Sequence, residues 1–276
     1  MKTFDVSIII STYNKPNWLQ KVLWSYNQQT INDFEVVIAD DGSTEETRAL
    51  INDMKTKMSY PIIHVWQEDN GFQKTKILNK ATVASRGDYL IYTDGDCLAR
   101  ADFIETHLAH RSKGCALSSG YFKLTNKVSN LIGLEEINSQ QCFDKSWLLS
   151  HGQPNSFKMN KLTRSKFKAA LLNFITPTKA TFDGMNASAW KVDILTVNGF
   201  DERMQYGGED RELGERLMNY GIKFKQIRYS AICLHLFHER AYVTSDMIKK
   251  NDAIRKTTKQ NKVIKTPFGI ESVKTV

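Results

Sequence analysis

The fold is decided by Asp5-Val6-Ser7-Ile8-Ile9-Ile10-Ser11-Thr12-Tyr13-Asn14, a β-branched run that stops abruptly in polar residues. A nearly continuous apolar run of this length is typical of a parallel strand covered on both faces. Apolar residues then recur at helical spacing from Trp18 to Tyr26, and Pro16 stands where a helix begins. The opening of the chain therefore predicts a strand, a polar turn and a helix over residues 16–29.

The same plan recurs over the next 80 residues. Further strands are predicted at 34–39, 61–66 and 89–92, and further helices at 45–58 and 73–85. Ser43 is expected to cap the first of these helices. Strands that alternate with helices predict βαβ units and a mostly parallel sheet. The alternation is lost beyond residue 117.

Three polar clusters follow predicted strands, namely Thr12-Tyr13-Asn14, Asp40-Asp41 and Asp94-Gly95-Asp96. In open α/β sheets, ligands bind beyond the carboxyl ends of the strands, so these clusters are expected to meet at one edge. Two carboxylates on one tight turn repel each other unless a cation lies beside them. Mg²⁺ or Mn²⁺ bridging to a diphosphate would relieve the repulsion. The alternative is an ordinary turn that contains two acids.

Two common nucleotide-binding motifs are absent, because the first strand is followed neither by a glycine-rich dinucleotide fingerprint nor by a P-loop. Asp41 can instead accept a hydrogen bond from a uracil N3–H or a ribose hydroxyl. Its alternative role is to cap a helix.

The C-terminal half offers an acidic pair and a histidine pair. Glu209 and Asp210 follow two glycines at the predicted start of a helix, where the helix dipole keeps acids ionised and available as bases. They could equally be ordinary capping acids. His235 and His238 lie three residues apart in apolar surroundings, which suits either core histidines or metal ligands.

The composition is that of an ordinary globular protein, with 276 residues, 41% hydrophobic and 25% charged. The apolar runs are far shorter than the ~20 residues of a membrane-spanning helix, and the N-terminus lacks a signal-peptide pattern. We therefore expect a cytoplasmic protein. The four cysteines have no paired spacing, so we expect them to be structural in a reducing compartment.

The net charge of +8 is confined to two segments. Residues 145–182 carry +7 and residues 248–276 carry +6, whereas the rest of the chain sums to −5. This distribution predicts local contact with an anionic acceptor or an acidic membrane surface, and no nucleic-acid partner. Solvated lysine-rich loops are the alternative.

An ordered set of motifs resembles the family 2 glycosyltransferases of GT-A fold: Val6 to Asn14, Val36 to Ser43, Asn70-Gly71-Phe72, Asp94-Gly95-Asp96, Gly184-Met185-Asn186 and Gly207-Gly208-Glu209-Asp210. The C-terminal half is similar to the galactosyl- and N-acetylgalactosaminyl-transferase region of bacterial chondroitin-type synthases. The resemblance implies one α/β domain, with a Rossmann-like, mostly parallel central sheet flanked by helices. Residues 1–117 would bind the nucleotide sugar, 118–245 would bind the acceptor and hold the catalytic groups, and 246–276 would form a basic tail.

The resemblance also implies roles for matching residues. Thr12, Tyr13 and Asn14 would line the nucleotide pocket, Asp41 would bind the uracil, and Asp94 and Gly95 would lie at the ribose. Asp96 would ligate the metal, with His238 as second and His235 as possible third protein ligand. Leu78 replaces an arginine common in relatives, so Lys74 or Lys76 would supply the charge for the pyrophosphate.

On the acceptor side, Asp210 matches the catalytic base and Glu209 the acid beside it that binds acceptor or donor. Asn186 and Trp190 fall in the acceptor segment. Tyr206 replaces a common tryptophan as the aromatic platform for the sugar.

The implied function is an inverting, Mn²⁺- or Mg²⁺-dependent glycosyltransferase that moves a hexose or N-acetylhexosamine from a UDP-sugar to a saccharide or lipid-linked acceptor. The product would be β-linked and would belong to a bacterial surface polysaccharide or lipopolysaccharide, made in the cytoplasm or peripherally on the inner face of the membrane. Two other classes stay open: a metal-dependent nucleotidyltransferase, and a non-catalytic module that binds sugar nucleotides or glycans.

Overall fold

The computed structural model describes residues 4–239 and 243–271. Within them the strands are β1 (Phe4–Thr12), β2 (Phe34–Asp40), β3 (Ile62–Trp66), β4 (Gly87–Asp94), β5 (Cys97–Ala99), β6 (Cys115–Ser118), β7 (Gly120–Lys123), β8 (Asn186–Trp190), β9 (Lys223–Gln226) and β10 (Ile232–His235). The helices are α1 (Pro16–Tyr26), α2 (Glu45–Lys57), α3 (Lys74–Ala84), α4 (Phe103–His110), α5 (Asn126–Leu131), α6 (Leu134–Asn138), α7 (Lys145–Ser150), α8 (Lys166–Ile175), α9 (Lys191–Thr196), α10 (Glu209–Tyr220) and α11 (Ser245–Gln260). Two 3₁₀ helices cover Gln141–Phe143 and Phe157–Leu162.

The central sheet has the order β3-β2-β1-β4-β8-β6-β9, and its first four strands are parallel. Ile8, Ile9 and Ile10 are fully buried. Successive side chains of a strand point to opposite faces, and accordingly Ile8 and Ile10 belong to one core cluster and Ile9 to the other. Helices therefore cover both faces of the sheet, and the predicted α/β class with its mostly parallel central sheet is confirmed.

The C-terminal half completes this same sheet. Strand β8 pairs antiparallel with both β4 and β6, and β9 pairs parallel with β6. A smaller three-stranded sheet, β5-β10-β7, lies outside it. The boundary predicted between residues 117 and 118 falls inside β6, so no break in the fold separates the two halves. Their division into a donor half and an acceptor half stays a prediction.

The predicted basic tail is, in its described part, an ordered element of the fold. Helix α11 packs against α10, with Arg255 2.6 Å from Glu215 and a fully buried Asn251 bonded to the carbonyls of Gln205 and Gly207. After α11 the chain runs back to the residues that follow α9, where Ile270 donates its N–H to the carbonyl of Asn198. Residues 272–276 of this segment lie outside the described residues.

The four cysteines all lie in the described part of the chain, and none forms a disulfide there. Three of them are buried, which agrees with the expected structural role. Among the residues described, no helix combines the length and hydropathy needed to cross a bilayer.

Candidate active site

The predicted meeting of polar clusters at one edge of the sheet is confirmed. Ser11 lies beside Asp94, and Thr12 lies beside Asp40, in the register of the parallel strands. The Ser11 hydroxyl donates to Asp94 Oδ1 at 2.6 Å, and the N–H of Asp41 donates to the carbonyl of Thr12. Residues up to 83 positions apart in sequence therefore share one surface.

The Asp94-Gly95-Asp96 turn is packed tightly against β1. The Gly95 N–H donates to the Ser11 carbonyl at 2.7 Å. A Cβ at position 95 would lie 3.0 Å from that carbonyl oxygen and 3.2 Å from Thr12 Oγ1. Glycine is therefore the residue that lets this turn approach the strand, as expected from the sequence.

Lys74 is the basic residue that reaches this turn. Its Nζ lies 2.7 Å from Asp94 Oδ1. Burial opposes the charge on Lys74, but the surrounding carboxylates of Asp94, Glu209 and Asp210 outweigh it and raise the lysine pKa above its usual value. The side chain is thus held as a cation at the acidic edge.

Lys76 faces elsewhere. Residues two apart on an α-helix point about 200° away from each other. Lys76 therefore faces away from Asp94, and its charge interacts with Glu202 and Lys80. Leu78 is buried in the core. Of the two lysines predicted for the pyrophosphate, the structure brings only Lys74 to the site.

The residues after β1 form one wall of the site. Asn14 adopts a left-handed φ of 46°, and its Oδ1 accepts the N–H of Thr44, the N-cap residue of α2. The expectation that Ser43 caps this helix is wrong, because Ser43 Oγ accepts the Asn14 N–H instead. Tyr13 is half exposed and donates to Asp69, whereas Thr12 Oγ1 is buried and has no hydrogen-bond partner in the described structure. A bound ligand could satisfy that hydroxyl.

Asp41 is held at the end of β2 by two donors. Its Oδ1 accepts from Gln67 Nε2 at 2.6 Å and its Oδ2 from the Gln73 N–H at 2.9 Å. Burial nevertheless raises the pKa of Asp41 to about 6. Its carboxylate oxygens keep lone pairs for a further donor such as an imide N–H.

The three predicted metal ligands come together. His238 Nε2 lies 3.0 Å from Asp96 Oδ2 and His235 Nε2 3.9 Å from Asp96 Oδ1, and the two imidazole rings stack with centroids 5.2 Å apart. Each histidine has its Nδ1 against a backbone carbonyl, that of Glu239 or Leu236. A carbonyl only accepts, so Nδ1 donates in both contacts, and the Nε2 atom of each ring is the one that faces the Asp96 carboxylate. This donor set fits a divalent cation, and its nitrogen ligands suit Mn²⁺ better than Mg²⁺.

The electrostatics of Asp96 agree with that role. Burial opposes ionisation, but the hydrogen bond to His238 and the neighbouring His235 hold the Asp96 pKa below its usual value. Cys97 was not predicted here, yet its Sγ, an Asp96 oxygen and a His235 nitrogen all lie within 4.8 Å of one another. Interaction with Cys233 and burial raise the pKa of the Cys97 thiol well above its usual value, so it is a neutral neighbour.

Glu209 and Asp210 begin α10, as predicted. The helix follows Gly207 and Gly208, whose φ angles of 107° and 80° lie in the left-handed region. Asp210 Oδ2 accepts the Gly184 N–H at 2.9 Å. Glu209 is buried, its Oε2 accepts the Gly207 N–H, and burial together with the charge of Asp210 raises its pKa to about 7.

Asp183 is a further acid that the sequence did not single out. Burial, with the charges of Asp210 and Asp94, raises its pKa to about 6. These interactions place Asp183 in the same acidic cluster as Asp94, Glu209 and Asp210, around Lys74. The available signal was its position in Phe182-Asp183-Gly184, a polar turn that leads into a strand at the ligand edge.

The residues predicted to bind the acceptor lie in different parts of the structure. Tyr206 is half-buried and packs edge-to-face on Phe72, with centroids 5.9 Å apart. Asn186 lies at the correct edge, but it is buried and its amide donates to the carbonyls of Gly120 and Ala231, so its role is to position strands.

Trp190 requires a correction. It pairs with Tyr89 near the start of β4, four residues along β8 and about 13 Å from Asn186, and its indole N–H donates to Ser112. A side chain at that end of the sheet cannot contact an acceptor at the carboxyl edge, so Trp190 is not part of the site.

Two family models match the chain. The model described as glycosyl transferase family 2 matches residues 7–180, and the model described as the N-terminal domain of galactosyltransferase matches residues 165–239. Validoxylamine A glucosyltransferase of Streptomyces hygroscopicus subsp. jinggangensis is 28% identical over 91% of this chain and 60% of its own length. The chondroitin synthase of Escherichia coli is 28% identical over 80% of this chain and 33% of its own length. The chain thus spans three fifths or less of these relatives.

Solved structures show the same fold at low identity. The structure of S. aureus TarS 1-349 in complex with UDP-GlcNAc matches with a TM-score of 0.62 and 16% identity, over 94% of this chain and 70% of that chain. The mannosyltransferase PcManGT from Pyrobaculum calidifontis, in complex with GDP-Man and Mn²⁺, matches with a TM-score of 0.57 and 18% identity, over 88% of this chain and 59% of that chain. The first family model covers more than half of the residues, and the architecture is that of GT-A glycosyltransferases. The chain therefore belongs to glycosyl transferase family 2.

Proposed function

We propose that this chain transfers a hexose or N-acetylhexosamine from a UDP-sugar to a saccharide or lipid-linked acceptor, with metal dependence and inversion at the anomeric carbon. The observation that carries the proposal is the single edge of the sheet at which Asp41, Asp96 with its two histidines, and Asp210 meet. A nucleotide contact, a metal-type donor set and a carboxylate base are the three elements that such a transfer needs.

The donor side of the proposal is supported by groups that suit a uridine nucleotide. Asp41 offers an acceptor for the uracil N3–H, and the unsatisfied Thr12 hydroxyl lies beside the turn that carries Asp94. Lys74 contributes a partly buried positive charge close to Asp94, where the diphosphate of the donor would need neutralisation. A solved structure with the same fold binds UDP-GlcNAc.

The metal end rests on Asp96, His238 and His235. A divalent cation bound there would supply Lewis-acid stabilisation of the leaving diphosphate. The chain's own contribution is to aim the Nε2 atoms of both histidines and the ionised Asp96 carboxylate at the same point. The hydrogen bonds from Nδ1 to backbone carbonyls fix both rings in that orientation.

The base is Asp210. Its two oxygens are held by the N–H groups of Gly184 and Arg211, so the carboxylate is oriented before the acceptor arrives. It would take the proton of the acceptor hydroxyl as that oxygen attacks the anomeric carbon from the face opposite UDP. An α-linked donor would then give a β-linked product, and no covalent intermediate is formed.

The acceptor class and the cellular role are inferred from a relative. One relative with 28% identity is named chondroitin synthase, an enzyme of polysaccharide assembly. We place the chain in the synthesis of a bacterial surface polysaccharide or lipopolysaccharide, in the cytoplasm or at the inner face of the membrane.

The test is a screen of UDP-sugars for release of UDP in the presence of Mn²⁺, with and without saccharide acceptors. The proposal expects UDP from at least one donor, faster with an acceptor, and a new β-glycosidic linkage in the product. Release of pyrophosphate in place of UDP would identify a nucleotidyltransferase. Tight UDP binding with neither hydrolysis nor transfer from any donor would identify a binding module, and either result overturns the proposal.

A further inference from the structure

Helix α8 is the one long element in the described part of the chain whose apolar side points away from the core. The exposed fractions of Phe167 and Phe174 are 81% and 88%, and Leu171 and Ile175 are also exposed. These positions follow the spacing i, i+4, i+7, i+8, so the four side chains form one stripe. Phe157, 75% exposed in the preceding 3₁₀ helix, adds to the same segment.

The opposite side of α8 holds the helix on the protein. Ala169 is the buried residue of the helix. Asn173 donates to Ser230 Oγ at 2.9 Å and accepts the Tyr229 N–H at 3.0 Å. The stripe is thus presented to the outside by an anchored helix.

Lysines flank this stripe. Lys166 and Lys168 stand about 100° to either side of Phe167 on the helical wheel, and Lys158 is exposed in the 3₁₀ helix. Within the described residues none of the three forms an ion pair, whereas Arg164 pairs with Asp144. Residues 145–182 contain no acid at all.

We propose that α8 and the 3₁₀ helix before it dock this chain onto an anionic lipid surface, with Phe157, Phe167, Leu171 and Phe174 inserted and Lys158, Lys166 and Lys168 at the headgroups. Interfacial helices have this pattern, with the apolar face buried about 5–10 Å into the boundary between headgroups and acyl chains. A protein partner fits less well, because the interface centres of proteins are depleted in lysine. An exposed aromatic stripe of this kind needs a partner that accepts both apolar and basic groups.

The position of the surface has a functional consequence. Lys161, in the same 3₁₀ helix, donates to the Tyr121 carbonyl, and the Tyr121 ring lies 6.0 Å from that of His235. The 3₁₀ helix that carries Phe157 and Lys158 is therefore connected to His235 through Lys161 and Tyr121. A bilayer bound here would hold a lipid-linked acceptor on this side of the protein.

The basic C-terminal segment does not share these properties. Arg255 and Lys259 pair with Glu215, and Lys249 lies 3.8 Å from Asp246. The side chains of Lys249, Lys250 and Lys256 are exposed on α11, a helix without aromatic residues, so they provide a matched control.

The experiment measures co-sedimentation of the full chain with vesicles of equal parts phosphatidylglycerol and phosphatidylcholine, against vesicles of phosphatidylcholine alone. The wild type should bind the anionic vesicles, and less so at high salt. K158Q/K166Q/K168Q should weaken binding about a hundred-fold, at about five-fold for each lysine near an acidic surface. F167S/F174S should weaken it roughly ten-fold or more, because two exposed rings no longer leave water. K249Q/K250Q/K256Q and Val192→Ser should bind like the wild type.

Circular dichroism and UDP binding identify any variant that fails to fold, and neither readout depends on transfer activity. Absence of wild-type binding to anionic vesicles overturns the proposal, as does equal weakening in the control variants. A dimer that F167S/F174S dissociates, with no vesicle binding, would assign the stripe to a second copy of the chain. Failure of the UDP-sugar screen would leave this proposal standing, since vesicle binding is measured without donor or acceptor.

Discussion

Asp210 is the side chain on which the proposed transfer depends most directly. Asp210→Asn keeps the size and one of the two oxygens that accept the N–H groups of Gly184 and Arg211, but it removes the basicity that the acceptor proton requires. Transfer should fall by roughly 10²–10⁴-fold, the usual contribution of a positioned general base. UDP affinity, measured by titration calorimetry, should be unchanged because Asp41 and Asp96 lie at the nucleotide end.

The matched control is Asp246→Asn, another acid in the first turn of a helix. Losing a helix-terminal acid costs about 0.3–1 kcal/mol of stability and no activity. If Asp210→Asn behaves like this control, the base is elsewhere, and Glu209 is the next candidate.

His238 tests the metal end. His238→Ala removes the Nε2 that lies 3.0 Å from Asp96, so Mn²⁺-supported UDP binding should weaken by roughly ten-fold or more. His110→Ala, beside Lys225 in the outer part of the sheet, should leave that binding unchanged. A His238→Ala protein with unaltered Mn²⁺ dependence but a lower melting temperature would make His238 a core histidine.

Glu209 gives a pH-dependent prediction. Its pKa is raised from 4.5 to about 7. Between these two pH values the folded state therefore holds a proton that the unfolded state has lost. The stability from this group is present below pH 4.5 and is lost as the pH rises to about 7, a change of about 3 kcal/mol. The free energy of unfolding of the metal-free protein, measured with urea, should therefore be lower at about pH 8 than at about pH 5. Glu209→Gln should reduce that difference.

Asp88→Asn, at an exposed acid of β4, is the control and should keep the wild-type decline. Parallel pH profiles for Glu209→Gln and the wild type would contradict the assignment of the raised pKa to Glu209.

At the residue scale, local sequence was informative where a side chain follows a strand. Thr12, Asp41 and the Asp94-Gly95-Asp96 turn each follow a predicted strand. They were predicted to meet because parallel strands place their carboxyl ends together. Cys97 and Asp183 were missed because their closeness to the site depends on antiparallel partners, β10 and β8, whose pairing no local pattern specifies. Trp190 was misplaced for the same reason, since the direction of β8 was not predictable from its sequence.

At the scale of elements, Arg216 shows how α10 is held in place to present its acids. The fully buried guanidinium bonds Glu212 on the same helix at 2.8 Å and donates to the carbonyls of Val197 and Gly199. Arg216→Met leaves Glu212 as a buried, uncompensated charge, so the free energy of unfolding should fall by about 3–5 kcal/mol. Chemical denaturation measures this loss.

Arg211→Met on the same helix is the control, because that side chain is exposed and the change should stay within about 0.5 kcal/mol. R216M/E212L should recover much of the stability, since no buried charge remains. A loss as small as that of Arg211→Met would show that the ion pair does not fix the helix.

The strands and helices of the first half were predictable because each carries a strong pattern of its own. Runs such as 5–10 and 34–39 are long and apolar, and the helices between them have clear spacing. Beyond residue 117 the strands are only four or five residues long, as in Asn186-Ala187-Ser188-Ala189-Trp190. The segment 186–190 becomes a strand through pairing with β4 and β6, a tertiary effect that outweighs weak local preference.

At the scale of the whole molecule, the shared sheet predicts that the two halves unfold together. Strand β4 of the first half pairs along five positions with β8 of the second, and the Tyr89 and His107 side chains both bond the buried Ser188 hydroxyl at 2.8 Å. Separating the halves would expose one long edge of β4 and leave these buried polar groups without partners, which is costly. Calorimetry should therefore record a single transition for the full chain.

UDP with Mn²⁺ at about a hundred times the dissociation constant should stabilise the fold by about 2.7 kcal/mol and move that whole transition upward. Asp210→Asn should show the same upward shift, and His238→Ala a smaller one, because only the latter lacks a metal-end ligand. Two separate transitions, of which UDP moves only the first, would mean that the donor half folds independently despite the continuous sheet.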